Sequence, residues 1–160
     1  MKKSRFTEEQ ITFVLRPAAP DDAEAVAACV GDAYRHYIDR IGKPPGPMLE
    51  DYAQVIRQRQ VAVAEIDGAI AGVLVLAVTE EGFCLENVAV DPRFHGRGIG
   101  RALLQRAEAE ARRQGFAGIY LYTHEKMTEN QALYSKIGYV EYDRRGEKGY
   151  SRVTMRKRLA

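Results

Sequence analysis

The sequence ENVAVDPRFHGRGIGRALL, residues 86–104, decides how the rest of the chain is interpreted. It begins inside an apolar segment, Phe83 to Val90, whose β-branched and aromatic residues predict a strand. Asp91-Pro92 ends that strand, because proline cannot donate to a ladder and restricts the residue before it. A loop follows, and then a predicted helix that ends at Gly115. The apolar positions of this helix recur at helical spacing: Ile99, Leu103, Ala107 and Ala111.

The loop between strand and helix predicts an anion-binding site. Gly96, Gly98 and Gly100 carry no side chains where the backbone enters a helix, so several N–H groups can point at one ligand. The first N–H groups of a helix lack internal partners and lie at the positive end of its dipole. Three cations lie within the same nine residues: Arg93, Arg97 and Arg101. The pattern favours phosphate, in particular pyrophosphate, although a plain strand-to-helix connection with solvated arginines also fits the glycines.

Composition restricts the class of protein. The 160 residues suit one domain, residues 1–160, of which residues 1–10 are polar and expected to be loosely ordered. Because 24 basic residues balance 22 acidic ones, bulk charge gives no indication of nucleic-acid binding. The longest apolar run is far shorter than the ~20 residues that span a bilayer, so no membrane partner is predicted.

The cysteines and histidines restrict the chemistry. Cys29 and Cys84 have no paired spacing, which is typical of a reducing compartment and predicts a cytoplasmic protein. His36, His95 and His124 lack ligand spacing, so no metal site is predicted.

The first half of the chain predicts strands separated by one helical region. The expected first strand, Ile11 to Arg16, stops at Pro17, and a helix is expected from Pro20 to about Tyr37. Asp67-Gly68 is a strong hairpin signal. The two strands of that hairpin are Val61 to Ile66 and Ala69 to Val78.

The segment between Tyr34 and Tyr52 combines tyrosines with a glycine–proline run, residues 42–47, that can be neither helix nor central strand. It predicts a stiff lid or acceptor-binding loop, with Tyr34, Tyr37 and Tyr52 as candidate acceptor-binding residues. A surface connector whose tyrosines pack on the core is an equal alternative. A short helix, Leu49 to Gln58, is expected to follow.

The second half predicts a parallel strand and a short helix. Gly118 to Thr123 follows the long helix, and a strand–helix–strand unit implies that it pairs in parallel with the Phe83 strand. Thr128 and Gln131 are spaced as a capping box for a helix that Gly138 ends. The final strand pair is Tyr139 to Arg144 and Tyr150 to Arg156.

The short helix carries a second candidate constellation. Asn130 and Tyr134 are four residues apart and therefore share a face. A phenol of ordinary pKa, near ~10, is a protonated donor at neutral pH and suits protonation of a leaving thiolate. Core packing with the hydroxyl at the rim is the alternative role for an isolated tyrosine.

Together, the strand Val88-Ala89-Val90 with the loop HGRGIG (residues 95–100), and the segment NQALYSKIGY (residues 130–139), resemble the GNAT superfamily of acetyl-CoA-dependent N-acetyltransferases. The resemblance extends through residues 11–159. The family loop reads Gln/Arg-x-x-Gly-x-Gly/Ala. Gly98 and Gly100 match it, whereas His95 stands where Gln or Arg is usual, so a side-chain contact by His95 is left open.

The resemblance implies a mixed α/β fold: a mostly antiparallel, twisted sheet of six to seven strands flanked by about four helices. It implies that pantetheine lies against Val88, Ala89 and Val90, that pyrophosphate binds the loop, and that Tyr134 is the general acid. The residues implied to bind acetyl-CoA are Val88, Ala89, Val90, Arg93, His95, Gly96, Arg97, Gly98, Ile99, Gly100, Arg101, Asn130 and Tyr134.

The implied reaction is direct attack of a primary amine, from a small molecule or a peptide, on the acetyl thioester. The amine must lose a proton first, and Glu86, on the strand that leads to the thioester, is the candidate base. A solvent-facing role for Glu86, with a water chain as the base, is the alternative. Cys84 shares the strand parity of Glu86 and is a minor candidate for a thiol nucleophile.

Other functions remain open at this point. A non-catalytic acyl-CoA-binding sensor would bind acetyl-CoA without releasing thiol. A dinucleotide-binding domain is disfavoured by the Gly-x-Gly-x-Gly spacing, although Glu125 lies at about the distance of a ribose-binding acid. A homodimer is a further expectation.

Overall fold

The computed structural model describes residues 12–147 and 149–159. The expected loose order of residues 1–10, and Ile11 of the expected first strand, lie outside the described residues. The described chain forms one seven-stranded sheet with helices on both faces, which confirms the fold class. None of the described helices is both long and apolar enough to cross a membrane.

The sheet is mostly antiparallel, with the strand order β1-β2-β3-β4-β5-β7-β6. Within the described residues, β4 and β5 are the only strands that run parallel, as the strand–helix–strand pattern predicts. The strands are β1 (Val14–Pro17), β2 (Gln60–Ile66), β3 (Ala69–Thr79), β4 (Gly82–Val90), β5 (Gly118–His124), β6 (Val140–Glu147) and β7 (Tyr150–Arg158).

In the described part of the chain, five α-helices accompany the sheet, one more than expected, because the helix expected from Pro20 to about Tyr37 is divided. A 3₁₀ turn, Pro20–Asp22, leads into the first part, and the chain breaks again before Tyr37. The helix expected from Leu49 is also shorter, since Asp51 caps a helix that begins at Tyr52. The helices are α1 (Ala23–Tyr34), α2 (Tyr37–Ile41), α3 (Tyr52–Gln58), α4 (Ile99–Arg113) and α5 (Thr128–Lys136).

Two local expectations are wrong. Pro17 lies within β1 rather than after it, which an edge strand tolerates because the missing N–H faces away from the ladder. The capping box of Thr128 and Gln131 does not form, because Met127 is the N-cap residue. The Gln131 amide instead donates to the His124 and Glu125 carbonyls, at 3.0 and 2.9 Å, and so ties α5 to the end of β5.

Two apolar clusters bury the two faces of the sheet. On one face, α4 packs through Ile99, Leu103 and Ala107 against β2 to β5 and β7. On the other, α1 packs through Val26 and Val30 on the central strands, together with buried tyrosines from α1, α2 and α3. Successive apolar side chains of β3 point alternately into the two clusters, so most of this strand is buried.

The middle of the sheet is only partly closed. Val75 pairs with Asn87 and Leu76 with Leu85, so Glu86 is the extra residue of a β-bulge in β4. The parallel register between β4 and β5 consists of Cys84–Tyr120 and Leu85–Leu121 alone. From the bulge onward, β4 keeps its β3 neighbour and leaves β5. This separation creates a gap beside residues 88–90.

Candidate active site

The glycine loop presents backbone donors that the chain does not use. Gly96 and Gly98 adopt φ values of 80° and 82°, a left-handed conformation that side chains disfavour. The first hydrogen bond of α4 runs from the Ala102 N–H to the Gly98 carbonyl at 3.0 Å. Among the described residues, no group accepts a hydrogen bond from the N–H groups of residues 96–101. The loop therefore ends at a helix N-terminus with free donors, as the sequence predicts.

The space above this loop is open. A Cβ atom added at Gly96 or Gly98 would meet no atom within 4 Å, so these glycines are not required for packing. The helix itself is held firmly, because Ile99 at its start is buried against Gly72 of β3. The two residues are so close that a Cβ atom added to Gly72 would lie 2.8 Å from Cγ2 of Ile99. A rigid helix thus carries an exposed loop.

The three loop arginines are not equivalent. Arg93 donates to the buried Asp91 carboxylate, with Nη2 at 2.7 Å from Oδ2, and this contact lowers the pKa of Asp91. The Arg93 and Arg97 guanidinium groups lie 5.6 and 5.5 Å from the centroid of the Phe94 ring. Arg101 is exposed in the first turn of α4. Arg93 is therefore engaged by Asp91, whereas Arg97 and Arg101 are exposed cations within the stretch that carries the free N–H groups.

The strand segment beside the gap is held by two side chains. The Tyr34 hydroxyl donates to the Val88 carbonyl at 3.2 Å, and Nε2 of His95 lies 3.3 Å from the Val90 carbonyl oxygen. Ala89 is buried against the α1 face. His95 therefore has a side-chain contact with the strand, which joins the loop to β4.

Tyr134 is buried on α5, with its ring centroid 5.7 Å from that of Tyr139. Burial, and then the nearby Tyr37 phenol, raise the pKa of Tyr134, so the phenol is protonated throughout the neutral range. Among the described residues, none forms a hydrogen bond with its hydroxyl. Asn130 is half-buried on the same face of α5, with Nδ2 at 3.8 Å from the Met127 sulfur.

A cavity of about 470 Å³ lies at the bulge in β4. Three residues singled out from the sequence line it together: Tyr34, Tyr52 and Glu86. Tyr37 does not line it: this tyrosine is buried between His36, whose ring centroid is 3.9 Å away, and the Arg40 guanidinium, 5.1 Å from its ring centroid. Tyr134 also lies outside the cavity wall. Of the three predicted acceptor residues, Tyr34 and Tyr52 therefore line the cavity and Tyr37 does not.

Glu86 lies at the bulge itself, where β4 turns away from β5. Its carboxylate accepts from Nε of Arg59 at 3.1 and 3.3 Å, and a third of its side-chain surface is exposed. A bulge residue is not confined by strand pairing, which lets its side chain project into the cavity. Glu86 therefore presents its carboxylate to the cavity.

The sequence did not single out Asn87, which organises the cavity base. The Tyr34 hydroxyl donates to its Oδ1 atom at 2.8 Å, while its Nδ2 atom donates to the Tyr52 oxygen at 3.2 Å. Tyr52 in turn donates to the Pro47 carbonyl at 2.6 Å. An asparagine inside an apolar strand is the one signal that could have indicated such a buried polar contact.

Cys84 does not have the features of a nucleophile. It is 1% exposed, and burial raises the pKa of its thiol to about 12. Within residues 12–147 and 149–159, no group of three or more His, Cys, Asp or Glu side chains is placed to hold a metal ion.

The sequence matches the family model described as an acetyltransferase (GNAT) domain, over residues 57–141. One curated relative, the [ribosomal protein bS18]-alanine N-acetyltransferase of Escherichia coli K12, is 32% identical over 75 residues, which cover 47% of this chain and 51% of the relative. The chain thus spans about half the length of this curated relative. The uncharacterized N-acetyltransferase YjgM of the same organism is 28% identical over 139 residues, 81% of this chain and 83% of YjgM.

The fold has solved counterparts. The PaiA N-acetyltransferase from Thermoplasma acidophilum, in complex with coenzyme A, superposes with a TM-score of 0.78 at 18% identity, covering 93% of this chain and all of that one. The E. coli ribosomal-protein-S18-alanine N-acetyltransferase gives a TM-score of 0.74 at 20% identity, covering 93% and 95%. Taken with the family model, the glycine loop and the opened sheet, these matches show that the chain belongs to the GNAT acetyltransferase family.

Proposed function

We propose that this protein transfers an acetyl group from acetyl-CoA to a primary amine of a small molecule or peptide. The single observation that carries the proposal is the row of unused N–H groups at residues 96–101, which follow the strand β4 after it has left β5. The names of the relatives, which include an enzyme that acts on an alanine of a ribosomal protein, support amine acetylation.

The residues around the gap suit a cofactor with phosphates and a long polar arm. The N–H groups of the loop, with Arg97 and Arg101, would hold the phosphates, because a helix N-terminus favours anions. The backbone of residues 88–90 would hold the pantetheine amides, and Asn130 would contact the arm. When bound, acetyl-CoA supplies an activated acetyl thioester.

Glu86 is proposed as the base. A primary amine is mostly protonated at neutral pH and must lose a proton before it can attack. Glu86 lines the cavity, and a third of its side-chain surface is exposed, so its carboxylate is accessible to an amine bound there. A water chain between the amine and Glu86 serves the same purpose when the two groups are not in direct contact.

Tyr134 is proposed as the general acid. A buried phenol with a raised pKa is a neutral hydroxyl at pH 7, and no described residue occupies its donor. It can therefore hydrogen-bond to a leaving sulfur and transfer its proton. The short helix α5, tied at one end by Gln131 and Arg40, fixes its position.

The experiment is thiol release from acetyl-CoA with a mixed panel of amino acids, polyamines, aminoglycosides and short peptides, compared for wild type and Tyr134→Phe. We expect the substitution to lower kcat about 100-fold, a typical contribution of general acid catalysis. Acetyl-CoA affinity, measured by calorimetry, should change by about twofold or less, because the lost group acts on the departing sulfur.

Tyr139→Phe is the matched control. It removes a neighbouring buried hydroxyl that has no hydrogen-bond partner, so turnover should stay at the wild-type level. Normal turnover by Tyr134→Phe would exclude Tyr134 as the acid. Stabilisation by acetyl-CoA without thiol release from any amine would favour the sensor, and stabilisation by NADH alone would favour a dinucleotide site.

A further inference from the structure

The proline loop, residues 42–47, forms one wall of the cavity. Pro45, Gly46 and Pro47 line it. Because a proline has no backbone N–H, the three prolines of this loop cannot be held in place through donors of their own. Their carbonyl groups can still accept hydrogen bonds. The side chains that donate to these carbonyls therefore determine where this wall of the cavity lies.

Two tyrosines that also line the cavity donate to the proline loop. The Tyr52 hydroxyl donates to the Pro47 carbonyl at 2.6 Å, and the Tyr150 hydroxyl donates to the Pro44 carbonyl at 2.8 Å. The two carbonyls lie before and after the part of the loop that begins at Pro45. The loop is thus held at both ends of the segment that faces the cavity.

The two contacts connect different parts of the molecule. Tyr52 lies 5 residues from Pro47 in the sequence, on the helix that the loop leads into. Tyr150 lies 106 residues from Pro44, at the start of β7. The strand β7 lies beyond the gap, in the part of the sheet that two residue pairs connect to β4. The Tyr150 contact therefore holds two walls of the cavity, the proline loop and β7, at a fixed separation.

The Tyr150 ring is itself held by its neighbours. Nζ of Lys43 lies 4.0 Å from the ring centroid, and the His124 ring meets it edge to face with centroids 6.0 Å apart. Phenylalanine at this position keeps the ring and both of these contacts. Tyr150→Phe therefore removes the hydrogen bond to Pro44 and leaves the packing of the ring in place.

Building on the proposed function, we propose that Tyr150 is a specificity-determining residue, which limits the bulk of the acceptor by holding the proline loop close to β7. The loop and β7 then help to enclose a volume of about 470 Å³. A compact amine fits between these walls, whereas a bulkier one requires the loop to move away from β7. In this role Tyr150 selects the acceptor and takes no part in the transfer of the acetyl group or of a proton.

The experiment compares two acceptors that differ in bulk. The best acceptor in the thiol-release panel is paired with a homologue that carries an added phenyl group at the end remote from its amine. We expect the ratio of kcat/KM, compact over bulky, to be about fivefold lower in Tyr150→Phe than in wild type, the equivalent of one neutral hydrogen bond. KM for acetyl-CoA should change by about twofold or less, because the glycine loop and α4 are untouched. An unchanged ratio would overturn the proposal.

Tyr142→Phe is the matched control. It removes the hydroxyl of an exposed tyrosine on the neighbouring strand β6 that does not line the cavity. The ratio of the two acceptors should stay at the wild-type value in this variant. A fall as large as that in Tyr150→Phe would show that the ratio responds to any change in these two strands, and would contradict the role of Tyr150.

Hydrogen exchange, followed by mass spectrometry, tests the anchor without an acceptor. The N–H groups of Gly46, Met48 and Leu49 should exchange about fivefold faster in Tyr150→Phe than in wild type, since one contact that holds the loop is lost. Equal exchange in the two proteins would overturn the role of Tyr150, whatever the enzyme acetylates. Faster exchange with an unchanged acceptor ratio would also overturn it, because the anchored loop would then not select the acceptor.

Calorimetry separates this proposal from the function on which it rests. If acetyl-CoA does not bind to the wild-type protein, the proposed function fails. If acetyl-CoA binds and thiol is released, while the acceptor ratio is the same in wild type and Tyr150→Phe, the proposed function stands and the role of Tyr150 fails.

Discussion

One buried amide, Asn87, connects three parts of the candidate site. Its oxygen accepts from Tyr34 of α1, and its nitrogen donates to Tyr52 of α3, which holds the proline loop at Pro47. Because the Tyr34 hydroxyl also reaches the Val88 carbonyl, the same chain of contacts touches the strand beside the gap. A single side chain thus aligns the cavity with that strand.

We expect Asn87→Leu to lower the free energy of unfolding by about 2 kcal/mol, since buried polar groups lose their partners. KM for the acceptor should rise more than KM for acetyl-CoA, because two cavity tyrosines are released. Urea unfolding and steady-state kinetics measure the two effects. An equal rise in both KM values would indicate general loss of structure.

Asp91 predicts how stability depends on pH. Its contact with Arg93, and its acceptance of the Arg93 N–H at 2.9 Å, lower its pKa below the ordinary 3.8. A depressed carboxyl pKa stabilises the folded state above the unfolded value and loses that effect as pH falls through the folded one. We expect Asp91→Asn to cost about 1.5 kcal/mol at pH 7 and progressively less below pH 4, measured by urea unfolding at several pH values. A cost independent of pH would contradict the ionic contact.

At the residue scale, the sequence singled out three residues that line the cavity, but it did not predict how they come together. Tyr34, Tyr52 and Glu86 share a cavity because the bulge and two helices bring them together. Tyr37 does not join them, because the helix breaks after Tyr34 and Tyr37 begins α2, where it lies between His36 and Arg40. The buried partner Asn87 gave only a weak signal, because one polar residue in a strand has many explanations.

At the scale of elements, the glycine loop gives a direct comparison. Gly98 and Gly115 lie at the two ends of α4, have φ values of 82° and 89°, and leave open space where a Cβ would stand. Alanine at either position should cost about 1 kcal/mol in unfolding free energy, because the left-handed conformation disfavours a side chain. Only Gly98→Ala should weaken acetyl-CoA binding in calorimetry, by about tenfold. Equal acetyl-CoA affinity in both variants would contradict the assignment of the glycine loop to the cofactor site.

The order of the elements was predictable because hairpin and helix-end signals are local. Asp67-Gly68 gave the turn between β2 and β3, and the strand–helix–strand unit gave the parallel pair. The division of α1 from α2, the shift of the α5 cap to Met127 and the bulge at Glu86 were not predictable. Each of them depends on packing between elements distant in sequence, which periodicity does not record.

For the whole molecule, folding buries both cysteines. Cys29 and Cys84 are free and buried, and burial raises the pKa of each thiol to about 12. We expect no reaction with a disulfide-exchange reagent such as DTNB in the native protein, and two equivalents after unfolding in urea. Rapid labelling of the native protein would show that one face of the sheet opens readily, and would also interfere with a thiol-release assay.

The opened sheet has a mechanical consequence. Two residue pairs join β4 to β5, so the described sheet consists of two halves with a short connection, and α4 packs on one face of it. A long molecule that lies in the gap and hydrogen-bonds to residues 88–90 would connect the two halves of the sheet. Bound acetyl-CoA would then also stiffen the sheet, and the release of coenzyme A after each turnover would make the sheet more flexible again.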